Sequence, residues 1–450
     1  MRHHAALLAV FILCTGCSGY MTASQAFRRS MSSGDPNGAL ARVNEALKVT
    51  DELALPEEIE ADTPLLLLER GTILQSLGRY EASTKSFQFA DKSLDVLDLT
   101  SDKLGSISKY MFSDDGTVYK SPPYEKLLIN TVNMLNYLAL GDASGAQVEA
   151  RRFTVNRKYL EDREDEEARS MMAMGSYLSG VAFEMGGEPD EAMQHYADAY
   201  QAGGVPHMKD ALMRLAAYSG AADARLDEAL AGEAPTVDQK EAEVIIVVQA
   251  GMAPYRFPER MPIGPALVIA SNNRRDHRLT PKQRQKAGRF AAKGSLKWVN
   301  YPSLRRNKGP KPTVQVRLDK DLISSGVALD VDNAAHHEFE RIKGTLIAAS
   351  ITRLITRAVA GSIGESVGAR ATGSREVGFL LSLLLEGAMT AADTPDTRSW
   401  VTLPAQFHIA RARVPAGAHT VEVFSGGRTR QQVIKVQPGG WVFLNFSDLR

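Results

Sequence analysis

Residues 65–92, LLLLERGTILQSLGRYEASTKSFQFADK, constrain what this chain can fold into more than any other stretch. Small and aromatic residues fall at Gly71, Leu74, Gly78, Tyr80, Ser83, Phe87 and Ala90. Their sizes suit a pair of packed helices. Gly71 and Ser83 are small enough to let two helices approach, while Leu74, Tyr80 and Phe87 fill the seam between them. A single hairpin of this size cannot bury its own apolar face, so neighbours are required.

The neighbours are present in degenerate form. At the same offsets, Gly34, Pro36, Ala39, Val43 and Ala46 make a second half-repeat, and Tyr137, Gly141, Ala146 and Ala150 a third. Gly180, Phe183, Gly187, Pro189, Ala192, Tyr196 and Ala199 make a fourth, nearly as good as the first, with a weak echo at Gly220. This order and spacing resembles the tetratricopeptide (TPR) unit, two short antiparallel helices with a glycine-containing turn. The competing reading is an ordinary helical bundle with glycine in its turns. Periodicity of this length is the signature of stacked repeats and favours a solenoid over residues 17–235.

The amino terminus carries an address. Arg2, His3 and His4 form a short basic start, residues 5–13 an apolar run too short to span a bilayer, and Cys14, Thr15, Gly16 and Cys17 close it with small residues. The arrangement resembles a bacterial lipoprotein signal over residues 1–16. That resemblance implies cleavage before Cys17 and a diacylglycerol on its thiol. Leu13 stands four places before Cys17, where the lipoprotein pattern usually has leucine three places before. A redox Cys-x-x-Cys reading is weaker, since that motif belongs at a helix start in a folded domain. Ser18 rather than an aspartate follows Cys17, which by the same resemblance implies an outer-membrane protein facing the periplasm. With the leader removed, no thiol remains free and no disulfide can form.

The pattern changes after Pro235. Residues 243–249, EVIIVVQ, are a β-branched run bounded by Gly251 and Pro254, the composition of a buried strand. Runs at 266–270, 313–318, 406–412, 419–424, 431–436 and 441–446 predict further strands, the last four as an antiparallel meander. The fold class expected is therefore α+β: a TPR-like helical solenoid followed by a β-rich, sandwich-like domain over residues 236–450. Near 336–392 a helical insertion interrupts it. Phe339, Ile342, Leu346, Ala349, Leu354, Ala358 and Val359 recur at helical spacing, and 377–389 form a more apolar segment. Arg353, Arg357 and Glu386 keep both segments short of the length that crosses a membrane. Either they pack on the sheet or they meet a membrane or a partner.

Charge divides the chain although its total is +0. Residues 18–240 carry net −14 and residues 241–450 net +13. The stretch opening at Arg274 and closing at Lys311 holds 13 basic residues and one acid, Asp276, with Phe290, Trp298 and Tyr301 among them. In an exported protein such a patch meets envelope polyanions or an acidic partner before nucleic acid, and no nucleic-acid partner is expected. Tyr110, Phe112 and Tyr119, in an insertion between repeats, are candidates for partner contact or for packing.

Signatures of catalysis are scarce. His336, His337 and Glu340, with Asp330 and Asp332 upstream, are the densest group of potential ligands. Position 341 is Arg, so the H-E-x-x-H spacing is missing, and adjacent histidines point about 100° apart on a helix. No phosphate-binding loop or nucleophile elbow occurs. We expect no enzyme, no cofactor and no metal, with an envelope metal-dependent hydrolase using His336, His337 and Glu340 as the alternative. The signal, the degenerate repeats, the strand ending in Gln249-Ala250-Gly251-Met252-Ala253-Pro254 and the late apolar insertion are together similar to a poorly characterised family of proteobacterial TPR-type lipoproteins. That resemblance implies an envelope role close to peptidoglycan synthesis and assigns no functional residues. The expected function is a scaffold that binds a protein partner through the solenoid.

Overall fold

The computed structural model describes residues 16–60, 62–94, 119, 121, 123–157, 166–232, 236–272, 279–292, 296–306, 312–372 and 395–450. Its amino-terminal half is a row of helical hairpins: α1 (Gly16–Ser32) with α2 (Pro36–Leu47), α3 (Thr63–Ser76) with α4 (Tyr80–Ser93), α5 (Pro123–Ala139) with α6 (Ala143–Arg157), and α7 (Glu166–Met185) with α8 (Pro189–Gln201). Helix α9 (Met208–Ser219) and a short α10 (Asp227–Leu230) close the row.

One turn chemistry makes all four hairpins. Gly34, Gly78, Gly141 and Gly187 sit at φ 80°, 72°, 72° and 78°, a left-handed conformation that costs glycine nothing. Behind each, two N–H groups reach back to the carbonyls that the helix end leaves orphaned. Gly78 donates to Gln75 and Arg79 to Leu74; Gly141 donates to Leu138 and Asp142 to Tyr137; Gly187 donates to Glu184 and Glu188 to Phe183. Between helices the contact is ring on glycine. A Cβ at Gly71 would stand 2.7 Å from the Phe87 ring, and one at Gly180 2.5 Å from the Tyr196 ring. Gly175 does the same across hairpins, 2.1 Å from Phe153. Ser83 adds a hydrogen bond from its Oγ to the Gly71 carbonyl, 2.8 Å.

The second half is a sandwich with a side module. One sheet has the order β10-β1-β7-β6, built from β1 (Ala242–Met252), β6 (Gly326–Asp330), β7 (Pro404–Val414) and β10 (Trp441–Asp448). The other has the order β5-β4-β8-β9, from β4 (Gln315–Leu318), β5 (Asp321–Ile323), β8 (Gly417–Ser425) and β9 (Arg428–Val436). Side chains of β1 divide by the period of a strand. Val244, Ile246 and Val248 join Val316, Val421, Val423 and Leu444 between the sheets. Ile245 and Val247 point the other way and share the core of the helical hairpins with Phe407, Ile409 and Phe443. Buried on both faces, β1 has no solvent side, which is why its sequence is a continuous apolar run rather than an alternation.

Two expectations are corrected. Residues 266–270 are not a strand but part of α11 (Ile263–Asn272), where Ala266 and Ala270, four apart, are buried while Val268 is 60% exposed. A short apolar run carries no period by which strand and helix can be told apart. The last four strands are not a meander. Only β8 and β9 form a hairpin, β7 pairs with β1 and β6, and β10 returns parallel to β1. The turns at Pro415 and Pro438 carry the chain from one sheet to the other instead of reversing it within one.

The side module is the antiparallel ribbon of β2 (Tyr255–Pro262) and β3 (Trp298–Arg305), with α11, α12 (Pro281–Ala292) and the start of α13 (Val331–Thr372) packed on it. Phe339, Ile342, Leu346, Ile351 and Leu354 of α13 are buried there, so this part of the apolar insertion packs against protein. The more apolar segment at 377–389 lies outside the described residues. Among those described, no helix is long and apolar enough to cross a membrane.

Candidate functional site

The inner face of the helical row is where a repeat protein would take a ligand, and here the chain's own carboxy-terminal half fills it. A strap at residues 397–403 lies on α3. Trp400, 2% exposed, rests on the Phe87 ring and donates its indole N–H to Thr72 Oγ1 at 2.9 Å. The carboxylate of Glu69, fully buried, accepts the backbone N–H groups of Val401 at 2.7 Å and Thr402 at 2.9 Å, the Thr402 hydroxyl, and the Tyr20 hydroxyl at 2.9 Å. Burial outweighs these four donors and raises the Glu69 pKa to about 7. Arg398 flanks the strap with ion pairs to Asp62 and Asp396, both at 2.9 Å.

Further along the same face the sheet presents a polar stripe. Gln249 of β1 donates to Gln75 of α3 at 2.6 Å, and Gln75 in turn bonds Asn136 of α5 at 2.6 Å. Tyr80 reaches the carbonyl of Asn445. Arg411 of β7, 1% exposed, meets both Glu184 oxygens at 3.0 Å, Glu243 at 2.8 Å and the Tyr196 hydroxyl at 3.1 Å, with its guanidinium 5.2 Å from the Trp441 ring. Tyr196 therefore has two jobs: its ring fills the seam against Gly180 and its hydroxyl, bonded to Glu184 at 2.6 Å, carries the contact with the sheet. Beside this cluster lies a cavity of about 340 Å³ lined by Arg214, Tyr218, Glu241 and Arg413.

A wider opening lies at the amino-terminal end. A cavity of about 1150 Å³ is walled by Ala23 and Ala26 of α1, Leu47 of α2, Leu66 of α3 and the loop between α2 and α3. Arg70 holds that loop in place: it is buried, and its guanidinium donates to the carbonyls of Asp51 and Glu52 at 2.8 Å and of Ala54 at 2.9 Å. The loop contributes the exposed carboxylates of Glu57, Glu58 and Glu60, the last paired with Lys48 at 2.7 Å.

The remaining sequence candidates are placed as follows. Leu74, Phe183, Ala90, Ala192 and Ala199 are buried in the helical core, and Gly78 and Gly187 make hairpin turns. Cys17 lies in the first turn of α1. Tyr119 is buried with its hydroxyl on Glu125 at 2.6 Å, so it packs and offers no surface to a partner; Tyr110 and Phe112 lie outside the described residues. His336, His337 and Glu340 are not gathered: His337 pairs with Glu167 at 3.1 Å, Glu340 with Lys343 at 3.1 Å, and His336 Nε2 is buried without a hydrogen bond. Among the described residues no three His, Cys, Asp or Glu side chains are grouped to hold a metal. Of the 274–311 patch, Lys282, Arg284, Lys286 and Arg289 are exposed on α12, Phe290 is half-buried, and Tyr301 is buried.

Glu69, Arg411 and Trp400 escaped the sequence reading. A signal existed for two of them. Glu69 directly follows a run of four leucines inside an apolar helix, and Arg411 sits in register with Phe407 and Ile409 on the apolar face of its strand. No protein-family model matches this chain, and comparison with curated proteins and with solved structures finds no match.

Proposed function

We propose that this is a non-enzymatic lipoprotein of the bacterial cell envelope, tethered through Cys17 to the outer membrane and facing the periplasm, that works by holding protein partners. The observation that carries the reading is the pair of oppositely charged surfaces left open once the chain has filled its own groove. The strap and sheet occupy the inner face of α3, α5 and α7, so the partner-facing surface of the helical half moves to the amino-terminal cavity with Glu57 and Glu58 at its loop. Charge complementarity makes a basic, partly apolar protein segment its fitting occupant. The exposed cations of α12 would engage an envelope polyanion or an acidic partner.

The test is crosslinking in intact cells of the parent bacterium, comparing the wild-type chain with Glu57→Lys/Glu58→Lys. Loss of a specific crosslinked protein in the variant supports the reading. A crosslinking pattern unchanged by the substitutions, or a chain that fractionates with membranes without taking up labelled palmitate at Cys17, overturns it. Stoichiometric zinc in the purified protein that disappears in His337→Ala would replace it with the hydrolase.

A further inference from the structure

The α12 module has a chemistry that names its partner more narrowly. Lys282, Lys286 and Arg289 are spaced i, i+4 and i+7, which sets them on one helical face, and all three are exposed while Ala287 is buried. Arg284 is exposed beside them. Among the described residues none of these four cations makes an ion pair or hydrogen bond, whereas Arg306, Arg341 and Lys343 of the same module are each neutralised by a carboxylate of α13. The module also leaves apolar groups in solvent: Val268 of α11 is 60% exposed and Trp298 of β3 is 42% exposed, with the Arg260 guanidinium 6.0 Å from the Trp298 ring.

The position of the module matters as much as its composition. The ribbon is rooted on the helix that begins at the lipid site: Arg28 of α1 stacks on Tyr255 at 3.6 Å, and Tyr255 is paired in register with Arg305. An eight-residue ribbon reaches about 25 Å. The base of the module thus touches the tethered helix, and its basic end lies within a few nanometres of it.

We propose that α12 and the exposed end of the β2–β3 ribbon form a surface that rests on an anionic phospholipid bilayer, the membrane to which Cys17 is tethered. The proposal rests on the lipoprotein reading and deepens it. Exposed lysines and arginines are drawn to acidic headgroups, and an exposed indole and an exposed aliphatic side chain on the same module are groups that settle at the headgroup level. A soluble polyanion would satisfy the cations and leave Val268 and Trp298 in water. The tether supplies the high local concentration that makes a weak surface contact effective.

The experiment uses the mature chain from Ser18 to Arg450, made without lipid, and sedimentation with vesicles of phosphatidylcholine alone or with added phosphatidylglycerol. Capture by the anionic vesicles only, reversed by salt, is expected, with a blue shift of tryptophan emission that is absent in Trp298→Phe. The triple variant Lys282→Glu/Lys286→Glu/Arg289→Glu should bind about a hundredfold more weakly, at roughly a factor of five or more per lost cation. Lys85→Glu, a charge reversal at an exposed position of α4, should change nothing, and unchanged thermal melting shows that both variants are folded. Equal capture by neutral vesicles, full binding by the triple variant, or retention on peptidoglycan or duplex DNA with none on anionic vesicles overturns the proposal. Its failure is separable from failure of the tether, since palmitate labelling of Cys17 reads the tether alone.

Discussion

Glu69 shows how one side chain can fasten two halves of a protein. It is the acceptor for two backbone amides of the strap, groups that no sheet or helix would otherwise satisfy. Truncating it leaves both amides buried without partners, so Glu69→Ala should cost ~3 kcal/mol in urea unfolding. Removing Arg411 is predicted to cost ~3–5 kcal/mol, because Glu184 would be left as a buried charge without its cation and Glu243 would keep only its longer contacts to Arg214 and Arg413. Two of the groups that shape the pH dependence have opposite sign. Folding raises the Glu69 pKa from 4.5 to about 7, so the folded chain holds a proton that the unfolded chain has lost, and this group makes stability fall as pH rises through that window. Burial against Phe183 lowers His195 to about 4 from 6.5, so this group makes stability rise from pH 4 to 6.5. The two slopes offset one another in the wild type. In His195→Gln that opposing slope is removed, so the urea midpoint at pH 5 relative to that at pH 7 should be higher than in the wild type.

At the scale of elements, the glycines separate those that permit a contact from those that only occupy space. A methyl group at Gly180 must displace the Tyr196 ring, so Gly180→Ala should destabilise by ~1–3 kcal/mol in chemical unfolding. Gly264, at the start of α11, has nothing within 4 Å, and Gly264→Ala should be neutral or stabilising by up to ~1 kcal/mol. This scale is also where the sequence was most legible. The hairpins could be read because a left-handed turn residue and a ring opposite a small residue are local requirements, stated within thirty or so positions of one another. The α+β division was legible for the same reason, since the apolar period changes after residue 235. The strand order was not. Pro438-Gly439-Gly440 looks the same whether the chain reverses beside itself or crosses to another sheet, and only the pairing of β10 with β1, two hundred residues apart, decides it.

For the molecule as a whole, the decisive fact is that one apolar core joins the helical row to the sheet, running from Tyr20 and Phe87 through Ile245, Trp400 and Phe443. Segments sharing a core unfold together, so tryptophan fluorescence, to which the buried Trp400 contributes, and far-ultraviolet circular dichroism should report a single coincident transition. Residues 17–235 and 236–450 made separately should be poorly folded and should regain helicity on mixing. Two well-folded halves with independent melts would contradict this. The sequence could not disclose that the groove is filled from within. A groove-lining residue and its occupant are separated here by more than three hundred positions, and Glu69 carries no mark of which backbone amides it will meet.

The strap arrives late. A polypeptide is made from its amino end, so α3 and its neighbours emerge long before residues 397–403 exist to cover them. At about 5–20 residues per second, synthesis alone leaves that trough bare for tens of seconds. A nascent chain in that interval is an open, sticky receptor, and it needs either a holding chaperone or a delay in its own collapse until the final stretch has been delivered.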